Sequence, residues 1–154
     1  MKETKRIIKL FESTYNGSPW IDVSLVPVLQ GITAIQAATK LSPHLNSPWE
    51  IVNHLISWRK NVLKRLQGNI LKTPSHNYFV PVKNTSAIAW QKTLEELDVS
   101  QQTWIDFLKE FKESDFEKIY PNNNLSYYEH IHGIIQHDIY HLGQIVLLTK
   151  ATRK

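Results

Sequence analysis

Near the C-terminus, the stretch Ser126-Tyr-Tyr-Glu-His-Ile-His-Gly-Ile-Ile-Gln-His-Asp-Ile-Tyr-His-Leu-Gly-Gln-Ile145 carries four of the chain's seven histidines. Two of them, His137 and His141, stand four apart on a segment with helical periodicity, so their Cβ atoms lie on one face roughly 5–6 Å apart. Imidazoles so placed can converge on one metal ion, at distances of about 2.0–2.1 Å for zinc. The chain has no cysteine, which excludes thiolate sites, disulfides and a cysteine nucleophile. Any metal here must use His, Asp or Glu. No such residue follows His141, so a third ligand has to come from upstream.

The segment His137-Asp-Ile-Tyr-His141 invites comparison with the zincin pattern H-E-x-x-H, where the acid is the general base. Asp138 is one methylene shorter than that glutamate, and an upstream third ligand breaks the zincin order, so this reading is set aside. On a helical wheel Asp138 faces the apolar side, where an unpaired carboxylate is costly. It is expected to accept a hydrogen bond from a ligand imidazole or a nearby hydroxyl, supporting the metal centre from behind.

The elements that must position these residues are all helical. Ile7, Ile8, Leu10 and Phe11 predict a helix over 3–15, broken by Asn16-Gly-Ser-Pro19. A short helix is expected over 24–30, closed by Gly31 in the left-handed conformation. Thr33-Ala-Ile-Gln36 resembles a capping box and predicts one further turn. Ser47-Pro-Trp-Glu50 is a stronger start, with a serine cap, proline at the first position and glutamate three after the cap. It opens a helix over 47–67 whose apolar residues are Ile51, Leu55, Trp58, Val62 and Leu66, with His54 on the flank. Residues 68–84 read as a long loop of a functional kind. An unbroken seam from Ala87 to Phe111 predicts one helix over 86–112, residues 116–124 form a linker, and Ser126-Tyr-Tyr-Glu129 caps a last helix reaching 149.

No strand-like alternation or repeat occurs, so the expected class is all-α, a single four-helix bundle over residues 1–154. On the last helix His137 and His141 flank the apolar face formed by Ile131, Ile134, Ile135, Leu142 and Ile145. His130 lies beside them, and His132 points elsewhere. His54 lies on a matching flank of the 47–67 helix. Three histidines from two facing helices would leave a coordination position for water or substrate, as a catalytic ion requires. Trp49, Trp58, Tyr140 and the loop around Trp20 are candidate pocket walls, although core packing explains such aromatics as readily.

The net charge of +4 arises from scattered residues, and the densest cluster, Arg59-Lys60 with Lys64-Arg65, reads as a solvated helix face. Nucleic acid is therefore not an expected partner. No apolar run approaches the ~20 residues of a membrane span, and the charged N-terminus lacks a signal-peptide core. A cytoplasmic location is expected.

The chain resembles the DinB superfamily. The likeness rests on Trp49-Glu-Ile-Val-Asn-His54-Leu-Ile-Ser-Trp58 and on His137-Asp-Ile-Tyr-His141-Leu-Gly-Gln-Ile145 as an H-x-x-x-H-x-G-Q ending. Asn16-Gly-Ser-Pro-Trp20 and Gly31-Ile-Thr-Ala-Ile-Gln-Ala-Ala38 add to it, in the same order along the chain. The resemblance implies an up-down-down-up bundle, often homodimeric, with one divalent metal ion held by His54, His137 and His141. It implies metal-dependent thiol transferases, which activate low-molecular-weight thiols, or metal-dependent hydrolases of small substrates. Three imidazoles suit zinc or nickel first, with iron, copper or manganese also compatible. A non-catalytic metal- or ligand-binding, stress-related bundle is the alternative.

Overall fold

The computed structural model describes residues 1–152. It contains α1 (Glu3–Asn16), α2 (Leu25–Gln30), α3 (Ala34–Ala38), α4 (Pro48–Leu66), α5 (Ala87–Glu110) and α6 (Tyr127–Thr152). A 3₁₀ turn at Glu113–Asp115 follows α5. The described residues include no strand, only an isolated antiparallel bridge between Ile119 and Ser126.

The helix starts are set by local chemistry. Ser47 accepts from the Glu50 backbone N–H, while Glu50 accepts from the Ser47 backbone N–H, at 3.2 and 2.8 Å. Thr33 with Gln36, and Ser126 with Glu129, close the same reciprocal pair. At the far end of α4, Gly68 adopts φ +89°, and the Asn69 N–H reaches back to the Lys64 carbonyl. Only glycine takes that conformation without strain. Gly31 departs from expectation: it ends α2 with φ −79°, because its N–H bonds back to Pro27 and Leu29 in an ordinary right-handed turn.

Residue pairs across the interfaces give the helix directions. Trp49 meets Thr93 and Arg59 meets Gln101, so α4 and α5 run parallel. Tyr15 bonds Asp98 while Phe11 stacks on Trp104, so α1 and α5 run antiparallel. His54 and Arg59 of α4 meet His141 and Asp138 of α6 in antiparallel sense. Tyr128 reaches Glu3, so α6 starts beside the start of α1. This is the up-down-down-up bundle. Its core forms two clusters, one around Leu29, Val52, Leu55, Leu97 and Ile145, the other around Phe11, Leu66, Trp104, Leu108 and Ile131.

The basic cluster on α4 is not one solvated face. Lys60 and Lys64 are exposed, but Arg59 and Arg65 are buried. The guanidinium is more weakly hydrated than an ammonium and carries a fixed fork of donors, so arginine can go inside where lysine stays in water.

Candidate metal centre

The face of α4 carrying His54 packs against the face of α6 carrying His137 and His141, and each ring offers one nitrogen within 4.8 Å of the others. The Nε2 atoms of His54 and His137 are 3.0 Å apart. Donors bound to one tetrahedral ion at zinc distances sit roughly 3.3–3.4 Å apart, so this spacing is close to what such an ion requires. The structure brings together the three histidines that the sequence singled out as candidate ligands.

Two of the rings are held from behind. His54 Nδ1 lies 2.7 Å from the Asn77 carbonyl, and His141 Nδ1 lies 2.7 Å from Gln144 Oε1. Both partners accept, so Nδ1 carries the proton in each ring and Nε2 is left as a lone pair. Outer acceptors fix the tautomer and aim of metal-ligating histidines in this way. His137 Nδ1 is buried and has no partner.

All three imidazoles are held neutral, the state a ligand needs. Burial pushes His54 down to about 4, against the pull of the Asn77 carbonyl, and the neighbouring His141 adds to the fall. Burial also takes His137 down to about 3, helped by His141, His54 and Arg59. His141 is lowered by burial as well, although its bond to Gln144 and the charge of Asp138 oppose the shift. Three neutral nitrogen donors, two of them with lone pairs oriented by outer acceptors, fit a divalent ion, and among the described residues no carboxylate joins the group.

The loop after α4 completes the site. Asn77 and Tyr78 both adopt left-handed backbone, at φ 49° and 61°. That conformation is uncommon for any residue but glycine and costs energy at a tyrosine. The strain is offset by anchors on α4: Trp58 Nε1 donates to Asn77 Oδ1, and Asn61 Nδ2 donates to the Tyr78 hydroxyl. The reward is placement, since Asn77 presents its carbonyl to His54, and Phe79 stacks on the His54 ring at 3.9 Å and 7°. The sequence marked this loop as functional without naming these residues; its composition carries no signal for them.

Several sequence expectations change at this point. Asp138 is bonded neither to a ligand imidazole nor to a hydroxyl. Its Oδ2 accepts from Arg59 Nε and Nη2 at 3.1 and 2.7 Å, because the apolar side it faces is where Arg59 is buried. His130 is outside the site: its Nδ1 meets the Ser126 carbonyl and its Nε2 meets Asn123. His132 packs against Tyr128. Of the aromatics, Trp58 borders His54 and His137, and Tyr140 lies beside His141. Trp49 is buried with its Nε1 on Thr93, and Trp20 is 96% exposed, so neither walls the site.

Gln144 also lines a groove of about 440 Å³ together with Leu41, Leu45, Ile51, Leu147 and His44. That volume is in the range of small-molecule pockets. No helix among the described residues is long and apolar enough to cross a membrane.

The chain matches no curated protein and no solved structure. The sequence profile of the DinB superfamily, in contrast, matches residues 24–145, which include all three clustered histidines and Gln144. This match, the helical bundle and the order of the motifs along it agree, and the chain belongs to the DinB superfamily.

Proposed function

We propose that His54, His137 and His141 hold one divalent metal ion, zinc or nickel first, and that the protein is an enzyme acting on a small molecule at that ion. The observation that carries this reading is the pair of outer acceptors: Asn77 and Gln144 turn two neutral imidazoles so that their lone pairs point at the same place as His137. When bound, the ion supplies a Lewis acid that lowers the pKa of a coordinated thiol or water. Transfer of a low-molecular-weight thiol is preferred over hydrolysis, because no carboxylate stands with the ligands to take a proton from water. A thiol is intrinsically far more acidic than water, so a metal-bound thiol ionises at neutral pH without a protein base. Phe79 and Trp58 border the ligands and keep bulk water from the rings. The groove beside Gln144 supplies room for the acceptor.

A specific observation favours a second reading, a non-catalytic metal-binding bundle. His54 is only 1% exposed and Phe79 lies flat on it, an arrangement closer to a closed site than to an open one. A homodimer belongs to either reading, and sedimentation of the untagged chain tests it.

Elemental analysis of untagged protein tests the proposal, with His54→Ala and His137→Ala beside the wild type. One metal per chain, lost in both variants, is the expected result. Absence of metal after reconstitution with zinc and with nickel would leave the histidines structural. Water exchange measured on the loaded protein then separates the two readings, since a catalytic ion keeps an exchangeable position.

A further inference from the structure

Along α4, His54, Trp58, Asn61 and Arg65 follow at steps of four, three and four, so they form one ridge. The ridge continues from the three-histidine site to the far end of the helix. On α6, His141 and His137 meet the His54 end of the ridge, and His130 packs on the same Tyr120 ring that covers Arg65, with Gly133 between them in sequence. A Cβ at Gly133 would meet nothing within 4 Å, so α6 has open space beside it at that position.

Two atoms of the ridge lack partners inside the protein. Arg65 Nε and Asn61 Oδ1 are buried and accept or donate no hydrogen bond. Arg65 is 8% exposed, and no carboxylate among the described residues lies within ion-pair distance of it. Its one polar contact is from Nη2 to the Thr73 hydroxyl at 3.3 Å. Its faces are covered by Trp58 and Tyr120, at 5.4 and 5.1 Å from the ring centroids. Arg59, one turn and a half earlier, shows what a structural buried arginine has on this helix: Asp138 at 2.7 Å and Gln101 at 2.9 Å. A buried cation without a counter-charge is costly, and an arriving anion would remove that cost. The fork of the guanidinium suits a carboxylate or phosphate. Asn61 can join it: with its amide turned over, the Tyr78 hydroxyl donates to Oδ1 and the free Nδ2 becomes a donor.

We propose that Arg65, assisted by Asn61, anchors the oxyanion end of the substrate whose reactive end reaches the three histidines. This rests on the metal-centre reading above. Trp58 connects the two ends, with ring contacts of 5.4 Å to the guanidinium and 6.0 Å to His137. Arg65 is thus a binding residue, and the ligand class is a small molecule carrying a carboxylate or a phosphate.

Two measurements test this and keep the two readings apart. In the first, metal-free protein labelled with ¹⁵N-arginine is titrated with inorganic phosphate, and the Arg65 Nε–H resonance is followed. A saturable shift is expected in wild type and in the surface control Lys64→Met, with affinity reduced about 10- to 100-fold in Asn61→Ala. An unsaturable shift, or one abolished by Lys64→Met, means an adventitious ion only and overturns the anchor. In the second, cobalt-loaded protein is titrated with glutathione and with its diethyl ester, reading the sulfur-to-cobalt absorption band. Tighter binding of the free acid, with the ratio collapsing towards one in Arg65→Met and Arg65→Lys, identifies a carboxylate-bearing thiol. Equal binding of acid and ester alongside saturable phosphate binding identifies a phosphate-bearing substrate. Cobalt binding without any anion effect at Arg65 overturns the anchor and leaves the metal centre standing. Saturable phosphate binding in a protein that takes up no cobalt does the reverse.

Discussion

Two buried polar assemblies join α4 to α6, and they are built on opposite rules. Arg59 and Asp138 form one. The guanidinium donates twice to one carboxylate oxygen and reaches Gln101 and Ser100 on α5, while its face lies over Tyr15. Charge meets charge, and the guanidinium donors are used, although Asp138 Oδ1 is buried without a partner. The histidine trio forms the other. Three uncharged rings crowd together, two Nε2 atoms face each other at 3.0 Å, and one Nδ1 is left without a partner. That crowding of like groups fits the metal site proposed above. Within one helix pair, opposite charges in contact mark architecture, and like groups crowded without a counter-charge mark a candidate site. Arg65 falls on the second side of that division although its residue type matches the first.

The largest effect should come from breaking the ion-paired assembly. Asp138→Ala leaves the Arg59 charge buried without its partner and should cost about 3–5 kcal/mol of stability in denaturant unfolding. Replacing Arg59 and Asp138 together by Met and Leu should recover most of that loss. Should Asp138→Ala instead keep its stability and lose its metal, Asp138 would belong with the ligands and the contrast would fail.

Gln144→Ala should spare stability and weaken metal binding by roughly 10- to 100-fold in chelator competition, because His141 loses the acceptor that fixes its tautomer. A variant as tight as wild type would show that the ring is held by packing alone.

Acid should separate the assemblies next. Burial lowers His54 to about 4 and His137 to about 3, below the ordinary histidine value of 6.5. The unfolded chain therefore binds more protons between these limits. Stability of the metal-free protein should be flat above about 6.5 and fall as pH drops from there towards 3–4. In His54→Ala/His137→Ala double variants this slope should shrink; an unchanged slope would place its source elsewhere.

The smallest effect is expected from Tyr140→Ala. Tyr140 touches the His141 ring but is largely exposed. Stability should move by no more than about 0.5 kcal/mol and metal content should stay unchanged.

Much of this was legible in the sequence, and for definite reasons. Capping boxes at Thr33, Ser47 and Ser126 are interactions between residues three apart, so local sequence is enough to find them. The helix over Ala87–Glu110 follows from an unbroken seam, and the i, i+4 spacing places His137 and His141 on one face. His54 lies 83 residues from His137, and its position on the matching flank of α4 was the only local sign of their meeting.

What stayed hidden depended on contacts between elements. The partner of Asp138 is 79 residues away, and the helical wheel showed only that it faced inwards. Arg59 and Arg65 look like their neighbours Lys60 and Lys64 until α5, α6 and the loops close over them. The carbonyl of Asn77 and the ring of Phe79 enter through a left-handed turn, which leaves no periodic trace. Sequence alone determined which helices form and which faces carry histidine, because caps and periodicity act over a few residues. Tertiary structure alone decided which buried charges are paired, since pairing depends on distances between helices that no single helix encodes.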